Sequence, residues 1–286
     1  TGRGNMSKYV GEKYAFNYCA DSADQLLKDG NINTVVITTR HDSHASYVIK
    51  GIEAGKHVFV EKPLAMNEDE LSAIKEAYEA AKSPLKVMVG FNRRFAPAVK
   101  EVKKLFAEEQ PKSIVMRVNA GVVPPEHWVN DPKVGGGRII GEGCHFIDLA
   151  AHLAGASITA VSASAMKDAN GLNNTVVMNL EFANGSVASI SYFSNGSKAV
   201  SKEYIEVYCG QTVAIIDDFT SLTIAGGKSS TKKFKQDKGH ASELKEFFTG
   251  IKSGSTQPIP FSECYNSSLA TLKVLESIRE NRKISV

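Results

Sequence analysis

The sequence predicts a mixed architecture, in which an α/β part with a parallel sheet is followed by an α+β part with a large, mainly antiparallel sheet. Two observations predict this fold class. In the first third of the chain, short β-branched runs alternate with helical stretches, which is typical of βαβ units. From about Pro111 onward, strand-like segments follow one another at hairpin distances, separated by turns such as Asn184-Gly185.

The elements of the first part follow from capping residues and from apolar runs. Ser22–Asp29 has the capped start of a short helix, and Thr34–Thr39 is a continuous β-branched run of the kind found in buried parallel strands. A helix to about Ala54 comes next. Further elements alternate in the order strand, helix, strand and helix, over His57–Val60, Glu68–Lys82, Lys86–Gly90 and Pro97–Glu109.

The second part is predicted to contain more strands than helices. The strand-like segments are Ser113–Ala120, Ile158–Met166, Thr175–Phe182, Val187–Phe193, Tyr204–Tyr208, Val213–Ile216 and Leu222–Ile224. The predicted helices are Ile139–Leu153, His240–Ser253 and Phe261–Arg279. We therefore expect two domains, residues 1–91 and 92–286, with the last helix, 261–279, packing back on the first domain.

Composition excludes several classes of protein. The 286 residues include 34 basic and 31 acidic side chains spread along the chain, without the basic cluster of a nucleic-acid-binding protein. No apolar run approaches the ~18 residues of a membrane span. The four cysteines lack a Cys-x-x-Cys pair, which argues against a zinc site and a disulfide framework. We expect a cytoplasmic protein with no nucleic-acid or membrane partner.

Glu61-Lys62-Pro63 follows a predicted buried strand directly. In an open α/β sheet, chemistry collects at the carboxyl ends of the strands. A lysine at that position can place its ammonium beside a reacting oxygen, with Glu61 next to it and Pro63 fixing the turn. The alternative is an ordinary exposed lysine before a proline turn, and this stretch alone favours that alternative.

A second informative stretch runs from Gly135 to Leu149. Its glycines allow the backbone to approach a ligand, and the following helix carries His145, Asp148 and His152 on one face. His145 can serve as a general acid or base, with Asp148 orienting its ring. Two alternatives stay open here, a metal site formed by these three residues and a polar helix face packed against the sheet; we expect no metal.

Three of these features together resemble the glucose–fructose oxidoreductase/inositol dehydrogenase (Gfo/Idh/MocA) family. They are Glu61-Lys62-Pro63 after a strand, Gly90-Phe91-Asn92-Arg93-Arg94-Phe95 at the junction, and the glycine-rich helix with His145 and Asp148. Further stretches resemble members fused behind a zinc-type alcohol dehydrogenase module, the bi-domain oxidoreductases. These stretches are Thr39-Arg40-His41-Asp42, Met116 to Gly121, His127-Trp128 and Gly137 to Glu142.

The resemblance implies a Rossmann-like first sheet, bound NAD or NADP, and roles for individual residues. The residues expected along the cofactor are Thr39, Arg40, His41, His44, Glu61 and Lys62. Lys62 would be the catalytic lysine, His145 its acid/base partner, and the Lys62–Pro63 peptide bond would be cis. The residues expected at the substrate are Arg93, Arg94, His127 and Arg138. Relatives form dimers and tetramers through the exposed face of the antiparallel sheet, so a homo-oligomer is expected.

Two departures from the family pattern bear on the function. An aspartate usually lies four residues before the catalytic histidine, and here that position is Gly141, so Glu142 or Asp148 would have to take its role. The chain also has no Gly-x-Gly-x-x-Gly motif. Comparison with relatives therefore predicts a partial Rossmann-like sheet that lacks its first βαβ, in a chain truncated at its N-terminus.

The expected function is that of an NAD(P)-dependent dehydrogenase acting on a hydroxyl of a sugar, polyol or nucleotide-sugar, in carbohydrate metabolism. If Lys62, Arg93, Arg94, Arg138 and His145 converge, their positive charge would suit an anionic sugar or a nucleotide-sugar. Two alternatives remain. One is a non-catalytic ligand sensor or regulator with the same fold, and the other is a hydrolase or lyase that uses NAD transiently.

Overall fold

The computed structural model describes residues 4–106, 110–168 and 171–286. Its helices are α1 Gly4–Lys13, α2 Ala23–Lys28, α3 His44–Glu53, α4 Glu68–Glu79, α5 Pro97–Leu105, α6 Cys144–Ala154, α7 His240–Ser253 and α8 Phe261–Glu280. Its strands are β1 Thr34–Ile37, β2 His57–Val60, β3 Val87–Val89, β4 Ser113–Asn119, β5 Ile158–Met166, β6 Thr175–Phe182, β7 Val187–Phe193, β8 Glu203–Cys209, β9 Thr212–Asp217, β10 Ser221–Ala225, β11 Ser230–Lys233 and β12 Ile284–Ser285.

The first sheet has three parallel strands, as predicted, and their order is β1-β2-β3. Strand β3 and the last three residues of β2 are apolar and buried, because α3 packs against β2 and α8 packs against β3. Strand β1 ends at Ile37 instead of Thr39, and a 3₁₀ turn over His41–Ser43 leads into α3. This short turn places residues 39–44 at the carboxyl edge of the sheet.

The second sheet has nine strands in the order β11-β10-β9-β8-β4-β7-β6-β5-β12. Side chains alternate between buried and exposed along most of its strands, so one face packs on the core and the other stays open. The prediction of a mainly antiparallel sheet is confirmed, with one parallel pair, β4 and β7. The edge strands β11 and β12 were not predicted, because four exposed polar residues and two terminal residues carry little strand signal.

The helix predicted over Ile139–Leu153 differs at its start. Residues Ile139–Gly143 form a π-helical turn, and the regular helix α6 begins at Cys144. A π turn inserts an extra residue and changes the direction in which the following side chains project. Helix α5 ends at Leu105, shorter than predicted, and residues 107–109 of that prediction lie outside the described residues.

Helix α8 packs against the hydrophobic core of the first sheet and also against that of the second. Phe261 stacks on Tyr78 of α4 with ring centroids 4.1 Å apart, while Ala270 lies in the core below the second sheet. The Nζ atom of Lys273 lies 2.9 Å from a carboxylate oxygen of Glu68. The two sheets are therefore joined by a shared helix as well as by the intervening chain. No helix among the described residues has the length and apolarity needed to cross a membrane.

Candidate active site

A cavity of about 390 Å³ opens where the carboxyl end of β2 meets the second part of the chain. The residues that line it are His41, Glu61, Lys62, Asn92, Arg93, Val123, His127, Trp128, Val129, Arg138, Gly141, Glu142, His145 and His240. A larger hollow of about 700 Å³ lies beside α4 and α8, but it has no histidine and is far from the end of β2. The smaller cavity is the candidate site because it collects groups that can move protons.

Lys62 occupies the position that the sequence predicts for it. The buried run of β2 ends at Val60, and the Lys62–Pro63 peptide bond is cis, which confirms that prediction. The ammonium Nζ donates a hydrogen bond of 2.7 Å to the carbonyl oxygen of Gly141 in the π turn. The lysine is thereby fixed at the wall of the cavity, with other N–H groups left to meet a ligand.

Glu61 lines the cavity beside Lys62. Its backbone N–H continues the sheet by donating to the carbonyl oxygen of Ile37 at 2.8 Å. Its carboxylate makes no hydrogen bond to any other described residue. A Cβ added at Gly90 would lie 3.3 Å from Oε2, so the glycine leaves room for this carboxylate. An unengaged carboxylate at a strand end is an acceptor for ligand hydroxyl groups.

His145 lies in the first turn of α6 and reaches the cavity. Its ring packs edge-on to Phe91, with 6.2 Å between the centroids, and its Nδ1 is buried without a partner among the described residues. Burial, followed by the nearby cations Arg93 and Lys62, holds the pKa of His145 well below its usual value. The imidazole is therefore neutral near pH 7 and has a free lone pair, while burial and the two cations make it a weaker base than an exposed histidine.

The prediction that Asp148 orients His145 is wrong. Both carboxylate oxygens of Asp148 accept hydrogen bonds from Arg94 at 2.7 Å, and Ser267 donates another at 3.1 Å. Asp148 is three residues after His145, but its partners come from the 92–95 turn and α8. Among the described residues no group of three His, Cys, Asp or Glu is placed to hold a metal ion.

Arg94 was expected to face the substrate, and this prediction is also wrong. Its guanidinium is bound to Asp148 and also to Glu263, and it does not line the cavity. A buried guanidinium requires a carboxylate partner, which draws Arg94 toward α6 and α8. Arg93 does line the cavity, but its guanidinium donates two hydrogen bonds of 2.8 Å to Glu203, the fully buried first residue of β8.

Arg138 and Glu142 form the cavity wall opposite the first sheet. Arg138 Nη2 donates to Glu142 at 2.5 Å, Lys202 donates to the same carboxylate at 2.6 Å, and the Tyr192 hydroxyl also donates to it. Burial alone would raise the pKa of Glu142, but Lys202 and Arg138 outweigh it and lower the pKa to about 2. Glu142 is therefore a fixed carboxylate that anchors neighbours, and it is not a proton donor near pH 7.

In the loop of residues 39–44, His44 is buried and holds the loop in place, whereas His41 lines the cavity. The His44 ring lies between two carbonyl oxygens, 2.7 Å from that of Pro63 and 3.0 Å from that of Thr39, and it does not line the cavity. His41 turns the other way and lines the cavity. Arg40 lies outside the lining and rests over the ring of Trp128, 5.7 Å from its centroid.

Several lining residues were not predicted as site residues. Trp128 packs edge-on to His41, with centroids 4.7 Å apart, although the resemblance gave a substrate role only to its neighbour His127. His240 reaches the cavity because Gly239 lets the backbone pass close to Asn92, where an added Cβ would lie 2.3 Å from the Asn92 carbonyl oxygen. A glycine before a predicted helix was the only available signal for this approach.

Comparison with known proteins identifies the family of this chain. Residues 3–91 match the family model described as "Oxidoreductase family, NAD-binding Rossmann fold", and residues 106–213 match the "GFO/IDH/MocA C-terminal domain". The chain belongs to the Gfo/Idh/MocA family. The family resemblance predicted from the sequence is therefore confirmed, while the narrower likeness of this Gfo/Idh/MocA chain to bi-domain oxidoreductases stays a prediction.

The similarity to known proteins covers most of the Gfo/Idh/MocA chain. Myo-inositol 2-dehydrogenase of Thermotoga maritima is 25% identical over 295 residues, covering 96% of this chain and 86% of the relative. Inositol 2-dehydrogenase of Rhizobium meliloti is 28% identical over 283 residues, covering 92% and 83%. The solved structure of a levoglucosan dehydrogenase with NADH and levoglucosan covers all of this chain and 88% of its own, with a TM-score of 0.88 and 21% identity.

Proposed function

We propose that this protein is an NAD(P)-dependent dehydrogenase that acts on a hydroxyl-bearing carbon of a sugar or polyol. The observation that carries the proposal is the placement of the Lys62 ammonium and the neutral His145 imidazole in one cavity at the carboxyl end of β2. The family's NAD-binding fold and the activity of the similar inositol dehydrogenases support it.

The cavity residues fit the nicotinamide end of a dinucleotide. Glu61 has an unengaged carboxylate at a strand end, which suits the hydroxyls of a ribose, and the loop of residues 39–44 lies at the same edge. The chain has no Gly-x-Gly-x-x-Gly turn to receive a pyrophosphate. A bound NAD or NADP would supply the hydride acceptor, and the residues of this chain would hold the substrate and its proton.

We assign the proton handling to Lys62 and His145. Lys62 meets the oxygen of the reacting hydroxyl and polarises it, while its contact with Gly141 keeps the ammonium in place. His145, held neutral by burial, accepts the proton that leaves this hydroxyl as it becomes a carbonyl. In the reverse direction Lys62 polarises the carbonyl oxygen and His145 returns the proton to it.

The charges around the cavity favour a neutral polyol over the anionic sugar expected from the sequence. Arg93 is paired with Glu203, and Arg138 is paired with Glu142. Each guanidinium therefore already has a carboxylate, and an anionic substrate would have to compete with an internal partner. Hydroxyl groups can instead bind to Lys62, to Glu61 and to the ring nitrogens of the lining histidines.

A non-catalytic ligand sensor on the same fold is the second candidate. Gly141 favours it, because the family resemblance places an aspartate there and this chain has no side chain at that position. A sensor would bind the same ligands without turnover.

Association and cellular context are further parts of the proposal. The open face of the second sheet exposes apolar side chains, including Val115, Val177 and Tyr208, and we propose that copies form a dimer or tetramer through it. Light scattering at several protein concentrations tests this.

We also propose that the protein is a cytoplasmic enzyme of the bi-domain group. A gene that fuses it to an alcohol dehydrogenase module would support this assignment.

Trp128 gives a direct test of cofactor binding, because it is the single tryptophan of the chain and lies in the cavity. NADH is titrated into the protein while Trp128 fluorescence is recorded. Turnover is then measured with NAD and with NADP, using myo-inositol, scyllo-inositol, levoglucosan and glucuronate. We expect quenching with NADH and cofactor reduction with a neutral polyol. Quenching without any turnover would support the sensor, and the absence of both would contradict the proposal.

A further inference from the structure

His41 is held in one tautomer by the backbone. Its Nδ1 lies 2.8 Å from the carbonyl oxygen of Gly135, and a carbonyl oxygen can only accept, so Nδ1 carries the hydrogen. Burial lowers the pKa of His41 to about 4, despite the contact with Gly135, which keeps the ring neutral near pH 7. A neutral ring with hydrogen on Nδ1 has a lone pair on Nε2, and no described residue bonds to that atom.

The His41 ring fills the space beside Gly141. A Cβ added at Gly141 would lie only 2.7 Å from His41 Cε1, so the ring occupies the volume that a side chain at 141 would take. The Lys62 ammonium is bound to the carbonyl oxygen of the same glycine. Ring and ammonium therefore border the same part of the cavity, close enough to meet one small ligand.

The two cavity histidines differ in how they are held. His145 has no described partner on its buried Nδ1, so no contact fixes its tautomer. His41 is fixed by Gly135 on one side and by the Trp128 ring on the other. A preorganised acceptor beside a preorganised cation is suited to recognise two neighbouring hydroxyl groups.

We propose that His41 contacts the substrate directly, with Nε2 accepting a hydrogen bond from a hydroxyl adjacent to the one that reacts at Lys62. The inference rests on the proposed function and deepens it, since it assigns the substrate to polyols with two neighbouring hydroxyls. It also moves His41 from the cofactor, where the sequence placed it, to the substrate. An analogue without the second hydroxyl leaves this acceptor unpaired and binds less well.

A single substitution separates this acceptor from the backbone contact. In His41→Asn the amide can still donate to Gly135, but the position of Nε2 is lost. His57→Asn is the matched control, because His57 begins β2 at the end away from the cavity and accepts from the Lys86 N–H at 3.0 Å.

With myo-inositol and NAD, we expect kcat/KM of His41→Asn to fall at least tenfold while the Kd for NADH changes less than twofold. His57→Asn should stay within twofold of the wild type in both. Two results would overturn the inference: a His41→Asn variant with kcat/KM within twofold of the wild type, or one that loses NADH binding as strongly as turnover.

Nitrogen NMR of the imidazole rings tests the same inference without turnover. We expect a neutral His41 with hydrogen on Nδ1, and an Nε2 resonance that shifts when myo-inositol is added to the protein with NADH. Hydrogen on Nε2, or no shift on saturation with myo-inositol, would refute the role of His41. Failure of the wild type to turn over any polyol would refute the dehydrogenase, while the NMR result would still decide whether His41 contacts a polyol.

Discussion

Arg94 and Asp148 form a buried ion pair with two parallel hydrogen bonds, from Nε to Oδ2 and from Nη2 to Oδ1, both 2.7 Å long. Asp148 belongs to α6, and Arg94 belongs to the turn that connects the first sheet to α5. Ser267 of α8 donates to the same carboxylate. The pair therefore joins three elements behind the cavity, which is a structural task and not the recognition of a substrate.

Removal of one member of this pair should destabilise the protein strongly. In Arg94→Met the Asp148 carboxylate remains buried without its cation, and we expect the free energy of unfolding to fall by about 3–5 kcal/mol. Urea denaturation measures this, and Arg94→Met/Asp148→Leu should recover much of the loss. If Arg94→Met instead raised KM at unchanged stability, Arg94 would be a substrate ligand after all.

Substitution of Lys62 should act on turnover and not on folding. Lys62→Met keeps the apolar stem but removes the ammonium, so kcat should fall by about 10²–10⁴-fold, the usual range for a lost acid/base group. The Kd for NADH should change little. Lys100→Met is the matched control, since Lys100 lies in a half-exposed pair with Glu246 at 2.6 Å. Equal kcat in the Lys62 variant and the wild type would exclude the catalytic role.

Glu243 should make the protein less stable as the pH rises. It is 2% exposed, and Oε2 has no partner among the described residues. Burial, then the carboxylates of Glu61 and Asp148, raise its pKa to about 8, whereas the value in the unfolded chain is near 4.5. The folded state therefore holds a proton that the unfolded state has lost, and stability falls between pH 4.5 and 8.

Glu243→Gln keeps the size of the side chain and its neutral state. Near pH 5 the variant and the wild type should have similar free energies of unfolding. At pH 8 the variant should be more stable by on the order of 3–4 kcal/mol, because it has no proton to lose. Urea denaturation at both pH values measures the difference, and a difference that does not depend on pH would show that Glu243 is ionised in the folded protein.

The neutral cavity histidines should give the opposite dependence. The pKa of His41 is about 4 and that of His145 is well below its usual value, whereas an unfolded histidine titrates near 6.5. Below pH 6.5 the unfolded chain binds more protons, so stability falls as the pH drops toward 4, by up to about 1.4 kcal/mol per pH unit for each ring.

The Glu243→Gln variant is the clearest background for this measurement, because it lacks the opposing contribution of Glu243. When His41→Asn is added to that background, the free energy of unfolding should fall less steeply as the pH is lowered from 6.5 to 5. If the free energy of unfolding fell equally with pH in the two proteins, with and without His41, the ring would be charged in the folded protein.

The features that could be predicted from the sequence are those that depend on a local residue pattern. Strands β2 and β3 were predicted because buried parallel strands are continuous apolar runs, and the alternating burial of β6 follows from its alternating residues. Lys62 was placed at the end of β2 because the apolar run stops there. These features need only a few neighbouring residues.

The rest depends on contacts between distant segments. Helix spacing placed Asp148 on the same face as His145, but it could not show that Arg94, 54 residues earlier, would take the carboxylate. The orientation of His41 depends on a carbonyl oxygen 94 residues away, at Gly135. The parallel pairing of β4 with β7 likewise joins segments separated by three other elements, for which no local signal exists.

The position of α8 limits how the cavity can open. One part of the helix, Phe261, Cys264 and Leu272, belongs to the core of the first sheet, and another, Ala270 and Val274, belongs to the core of the second. A hinge rotation that moved the two sheets apart would have to pull this helix out of one core. We therefore expect ligands to enter past the segment of residues 121–130, four of whose residues line the cavity. We also expect heating to unfold both halves in one cooperative step.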